Sequence, residues 1–138
     1  MAKKIPFRGQ SMNPSFRKVD FIWVDFDNKS PQLGEIVVYR DKHQELVCHR
    51  LIYKTQDEYW LKGDFSFQHE VVPASQFFGQ VQFIEVAGKI KKIKPPFLYR
   101  WGCWLQVQHS QSRSSFSKKF YRYGVRLYFS AIHFTYST

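Results

Sequence analysis

The sequence predicts a mainly β fold, with a mostly antiparallel domain over residues 1–94 and a basic, aromatic extension over residues 95–138. Two observations carry this. Short runs of β-branched and aromatic residues recur between clusters of turn-forming residues, which is the pattern of strands joined by tight connections. The acids then stop: from Val86 to Thr138 the chain carries ten Lys or Arg and no Asp or Glu.

Taken in order, Phe21, Ile22, Trp23 and Val24 form the first β-prone run, and Ile36, Val37, Val38 and Tyr39 form the core of a second over residues 35–40. Asn28, Lys29, Ser30, Pro31 and Gly34 supply turn chemistry between them. Residues 41–44 separate the second strand from a third at 45–54, and a hairpin is the economical arrangement. Residues 58–62 and 79–85 add two strands, and residues 88–94 alternate Ile90 and Ile93 with lysines. Pro95 and Pro96 mark the expected end of the β domain. Beyond them Trp101, Trp104 and many Tyr and Phe residues are interleaved with bases, and a Ser/Gln-rich bridge at 109–117 divides the extension into two amphipathic segments.

At 138 residues, 43% hydrophobic and 19% aromatic, the chain falls outside the disordered class and suits a modest core. Its net charge of +10 resides in the second part, so an acidic partner is expected there: anionic lipid, nucleic acid or an acidic peptide. No nucleic-acid-binding module is recognisable, so nucleic acid is not the expected partner. Residues 121–136 mix Arg122, Arg126 and His133 with Val125, Leu127, Tyr128, Phe129, Ile132 and Phe134, a composition suited to peripheral contact with an anionic membrane. The simpler reading is that these aromatics cover an open face of the β domain.

Cys48 and Cys103 have neither a disulfide-framework nor a metal-ligand spacing, so buried free thiols in a reducing compartment are expected, with no metal and no cofactor. Lys3, Lys4 and Arg8 interrupt any apolar leader, and no run approaches the ~18 apolar residues of a membrane span. The expected location is the cytoplasm, with no transmembrane segment.

Three elements carry chemistry. Gly9-Gln10-Ser11-Met12-Asn13-Pro14 places a serine on a tight turn after a flexible glycine, as a preorganised nucleophile requires, although serine in a turn is common. Val47-Cys48-His49-Arg50-Leu51 sets a histidine inside an apolar strand, where it faces a pocket or is a satisfied core residue. Leu61-Lys62-Gly63-Asp64, followed by Glu70, puts two carboxylates on a loop after a strand, where acids also serve as turn formers.

In this order, with Leu33-Gly34-Glu35-Ile36-Val37-Val38-Tyr39-Arg40 between the first two, these boxes resemble the signal peptidase and LexA superfamily. The resemblance runs from Phe7 to Lys89 and is closest to the histidine-dependent branch of archaea and the endoplasmic reticulum. It implies a signal peptidase/LexA-like antiparallel β domain and a serine endopeptidase that cuts a leader or signal-like segment from a peptide or protein precursor. It assigns Ser11 as nucleophile and His49 as base, where other branches use lysine. Glu70 is the first choice for the carboxylate that orients His49, and Asp64 the second. Gly9, Gln10 and Met12 would border the oxyanion site and the substrate groove, with the stretch from Phe65 to His69 as a further wall. The competing readings are a conventional secretory signal peptidase, a LexA-like self-cleaving regulator, and an inactive relative that binds through its basic tail.

Overall fold

The computed structural model describes residues 1–13, 15–64, 66, 68–93, 99–111 and 113–136, with side chains left undescribed at 99 and 129–136. The expected domain end at Pro95 and Pro96 lies outside these residues, as do Pro14 and Phe65 of the predicted motifs and the side chains of Phe129, Ile132, His133 and Phe134.

Among the described residues, eight antiparallel strands form one sheet: β1 (Ala2–Pro6), β2 (Phe21–Asp25), β3 (Ile36–Arg40), β4 (Leu46–Lys54), β5 (Glu58–Lys62), β6 (Glu70–Pro73), β7 (Phe77–Val86) and β8 (Lys89–Lys92). Their order is β1-β2-β7-β3-β4-β5-β6, with β8 paired to β7. The mainly β expectation therefore holds, and each of the six predicted strands is present. The predicted hairpin is β3–β4, where Val37 faces His49 and Val38 faces Cys48. β2 and β3 are not partners, because β7 inserts between them and pairs with both.

β3 explains its own uninterrupted apolar sequence. It sits between β7 and β4, and both of its faces are covered. Ile36 and Val38 join Met12, Phe16, Val24 and Cys48 in one cluster, while Val37 and Tyr39 join Leu51, Leu61 and Val72 in another. A strand buried on both faces has no polar alternation to preserve.

Two strands were not legible in the sequence. β1 carries Lys3 and Lys4 through its middle and β6 has only four residues, yet both are outer strands with one hydrogen-bonded neighbour. Charge and brevity there hinder pairing with other chains. Glu70, expected on a loop, is the first residue of β6.

The two amphipathic segments are helices, α1 (Tyr99–Gln111) and α2 (Ser115–Tyr136). Ser114 starts α2 by accepting the Ser117 N–H at 3.1 Å on its hydroxyl, an N-cap contact. Leu105 packs with Val125 and Tyr128 across the helix pair. The crossing is close because Gly102 has no side chain: a Cβ there would stand 2.2 Å from the Tyr128 ring.

α1 is seated on the β domain. The Cys103 thiol donates to the Leu51 carbonyl at 3.6 Å, His69 Nδ1 meets the Ser110 hydroxyl at 2.8 Å, and Lys62 Nζ donates to Gln106 Oε1. Lys62 and Gln106 are both fully buried. Burial pushes the Lys62 ammonium down to about 8, since the charged form loses its hydration. Cys48 and Cys103 are free and buried, as expected. No helix among the described residues is long and apolar enough to cross a membrane.

Candidate active site

Ser11 stands on a turn whose shape is set by its neighbours. Gly9 adopts φ +139°, open to glycine and strained for other residues, and the Asn13 N–H donates to the Gln10 carbonyl at 3.0 Å. Met12, fully buried, pins the turn to the core beside Phe16 and Val38. Met12 therefore does not border the groove as expected: its side chain is the anchor that leaves Ser11 exposed on the opposite side. Gly63 supports the turn from β5, because a Cβ there would lie 2.5 Å from the Ser11 carbonyl oxygen.

His49 lies in the middle of β4, 8% exposed, and presents both ring nitrogens to partners. Nε2 is 3.2 Å from Ser11 Oγ, and Nδ1 is 2.9 Å from the Tyr39 hydroxyl. That hydroxyl in turn donates to Glu70 Oε2. Because Tyr39 spends its proton on the carboxylate, it accepts from Nδ1–H, which leaves the Nε2 lone pair aimed at Ser11. The order Ser11–His49–Tyr39–Glu70 is thus a chain of hydrogen bonds with one consistent direction. Burial lowers the His49 pKa below its ordinary value, with Glu70 and then Asp64 opposing the shift, so the ring is neutral at pH 7. Burial also raises the Tyr39 phenol well above its ordinary value, helped by Glu70, which keeps its proton in place.

Neither predicted carboxylate meets His49 directly. Glu70 reaches it through Tyr39, a residue that sequence reasoning assigned only to a strand. Asp64 is committed elsewhere: its two oxygens take Arg50 Nε and Nη2, each at 2.8 Å, and the Ser15 hydroxyl donates to it. Arg50 also donates to the Gly34 carbonyl at 2.6 Å. This buried pair ties β4, the β5 end and the segment after Ser11 into one support, so Asp64 is a scaffold residue and its assignment as second-choice orienter is corrected.

A groove of about 410 Å³ adjoins Ser11, walled by Ile5, Pro6, Phe7 and Arg8 on one side and Leu46, Val47 and Cys48 of β4 on the other. Of the residues preceding Ser11, Ile5 to Arg8 line it, whereas Gly9 and Gln10, expected at the groove, are not among its lining residues. Of the other predicted wall, Phe65 and Phe67 lie outside the described residues, while His69 stacks on Trp60 with ring centroids 4.5 Å apart and bonds to Ser110 of α1. Burial raises the Cys48 thiol far above its ordinary range, leaving it protonated and inert as a nucleophile.

An antiparallel β domain that seats a serine box, a histidine strand and a Lys-Gly-Asp turn together defines the LexA/signal peptidase superfamily of serine-peptidase-type proteins. A model of the peptidase S24-like family matches residues 5–87, from β1 to the end of β7, and the chain belongs to that family. No curated protein and no solved structure matches it.

Proposed function

We propose that the chain is a serine endopeptidase of the histidine-dependent type, cutting a leader or signal-like segment from a peptide or protein precursor. The observation that supports this best is the exposed Ser11 hydroxyl 3.2 Å from a buried, neutral imidazole whose far nitrogen is already held by Tyr39. His49 accepts the Ser11 proton as Oγ attacks the scissile carbonyl, and returns it to the departing amine; water then repeats the cycle on the acyl-enzyme. Tyr39 and Glu70 stabilise the transient imidazolium, and the Ser11 N–H is the natural donor to the oxyanion. Lys62, the buried lysine nearest in sequence to the site, is engaged with Gln106 of α1, which favours histidine over lysine as the base.

The groove beside Ser11 has apolar walls and an outer strand, β1, with one unpaired edge. An extended substrate suits such a site, backbone pairing along an edge while small side chains drop between the walls. The test is incubation with a pooled peptide library carrying small residues before candidate cut sites, read by mass spectrometry. Wild type is expected to yield discrete products and Ser11→Ala none; products from Ser11→Ala at the wild-type rate would remove Ser11 as nucleophile.

Gly63→Ala provides a geometric check. The new methyl drives the Ser11 backbone outward, and displacement of a nucleophile by about 1 Å costs roughly a hundredfold in kcat. KM is expected to change little, because the groove walls come from β1 and β4.

A further inference from the structure

We propose that the α1–α2 hairpin is a peripheral docking surface for an anionic lipid bilayer, independent of the catalytic reading above. Among its described side chains, α2 has two apolar faces rather than one. Tyr121, Val125 and Tyr128 turn inward, with Val125 and Tyr128 buried against Leu105 of α1. Phe116, Phe120, Tyr123 and Leu127 recur at helical spacing on the other side and are 83%, 66%, 66% and 56% exposed. A helix already satisfied by its partner on one face gains nothing intramolecularly from a second apolar stripe.

The stripe continues onto α1. Phe120 contacts Tyr121 with ring centroids 5.4 Å apart, and Tyr121 contacts Trp104 at 6.1 Å, edge on in both cases. Trp101 and Trp104 are each about half exposed, at 49% and 50%. Tryptophan and tyrosine bodies with polar tips suit the headgroup boundary of a bilayer.

Charge selects the occupant. Arg100, Arg113, Lys118, Lys119 and Arg126 are exposed on the two helices and the link between them, and the chain has no acid after Glu85 to offset them. A second copy of the same face would bring like charges together, whereas an anionic lipid surface complements both the bases and the apolar stripe. Seating of α1 on the β domain through Cys103, Gln106 and Ser110 would hold the domain at that surface.

The experiment is flotation of the full chain with vesicles of phosphatidylcholine alone or mixed with phosphatidylglycerol, at low and high salt. Wild type and Ser11→Ala are expected to float with the anionic vesicles, and high salt to release them. Phe120→Ser/Leu127→Ser and Lys119→Glu/Arg126→Glu, both at exposed positions and checked for fold by circular dichroism, are expected to lose about tenfold or more in partitioning. Equal flotation of the folded variants, or no preference for the anionic vesicles, overturns the proposal. So does a wild-type dimer in sedimentation velocity, or tight binding to an RNA or DNA oligonucleotide, when either is abolished by the same substitutions and vesicle binding is absent.

Discussion

His49→Ala is expected to lower kcat/KM on the order of a millionfold, as loss of the base does in a serine–histidine unit whose members act together. The structure supplies no substitute: among the described residues, the hydrogen bond recorded for Ser11 Oγ is the one to His49 Nε2. Tyr39→Phe isolates the relay. It keeps the ring packing and removes the acceptor for Nδ1–H, so the tautomer is no longer enforced, and a loss of about a hundredfold is expected. The pH profile separates orientation from mere packing. The base must be neutral to act, and burial places its pKa below that of an ordinary imidazole, so the acid limb of wild-type kcat/KM should lie at lower pH than an unperturbed histidine would give. Without the phenolic acceptor the imidazolium is stabilised less, and the acid limb moves lower still. An acid limb unmoved in Tyr39→Phe would reduce Tyr39 to a packing residue. Glu70→Gln should cost less than Tyr39→Phe, because Glu70 is exposed at the head of β6 and water can replace part of its role.

Asp64→Ala is expected to cost about 3–5 kcal/mol of folding stability, the penalty for removing one partner of a buried ion pair. The Arg50 side chain is 3% exposed and that of Asp64 is fully buried, so solvent cannot take over when the carboxylate leaves. Against a total stability of about 5–15 kcal/mol, such a loss is large, and urea denaturation followed by tryptophan fluorescence measures it. The double variant Arg50→Met/Asp64→Leu removes both charges and should recover much of the loss. If the single and double variants proved equally unstable, packing of the side-chain bodies rather than charge desolvation would be the cause. Loss of Ser15 anchoring predicts reduced turnover in the double variant even when it is folded, because Ser15 lies four residues beyond Ser11, the proposed nucleophile, on the same irregular segment.

Much of this protein is local and was readable as such. The six predicted strands owe their formation to runs such as Ile36–Tyr39, which are β-branched or aromatic and bounded by turn residues. The proposed nucleophile and base stood out in the sequence because their chemistry restricts residue type, and the boxes around them keep their order along the chain. β1 was hidden because its lysines break the alternation that marks a half-buried strand, and β6 because four residues are too few to show a period.

What the sequence by itself determined is the β character of the part that precedes the helices, the serine and histidine boxes, and a tail in which bases and aromatics are kept apart from acids. The tertiary structure decided which neighbours those residues have. Tyr39, His49 and Glu70 come from β3, β4 and β6 and meet across a sheet whose pairing is non-local, so 31 residues separate the phenol from its carboxylate. Asp64 went to Arg50 rather than His49 because successive side chains of a strand point to opposite faces. One residue's difference in position along β4 therefore separates the imidazole's partners from the guanidinium's, and only the assembled sheet fixes which carboxylate lies on which side.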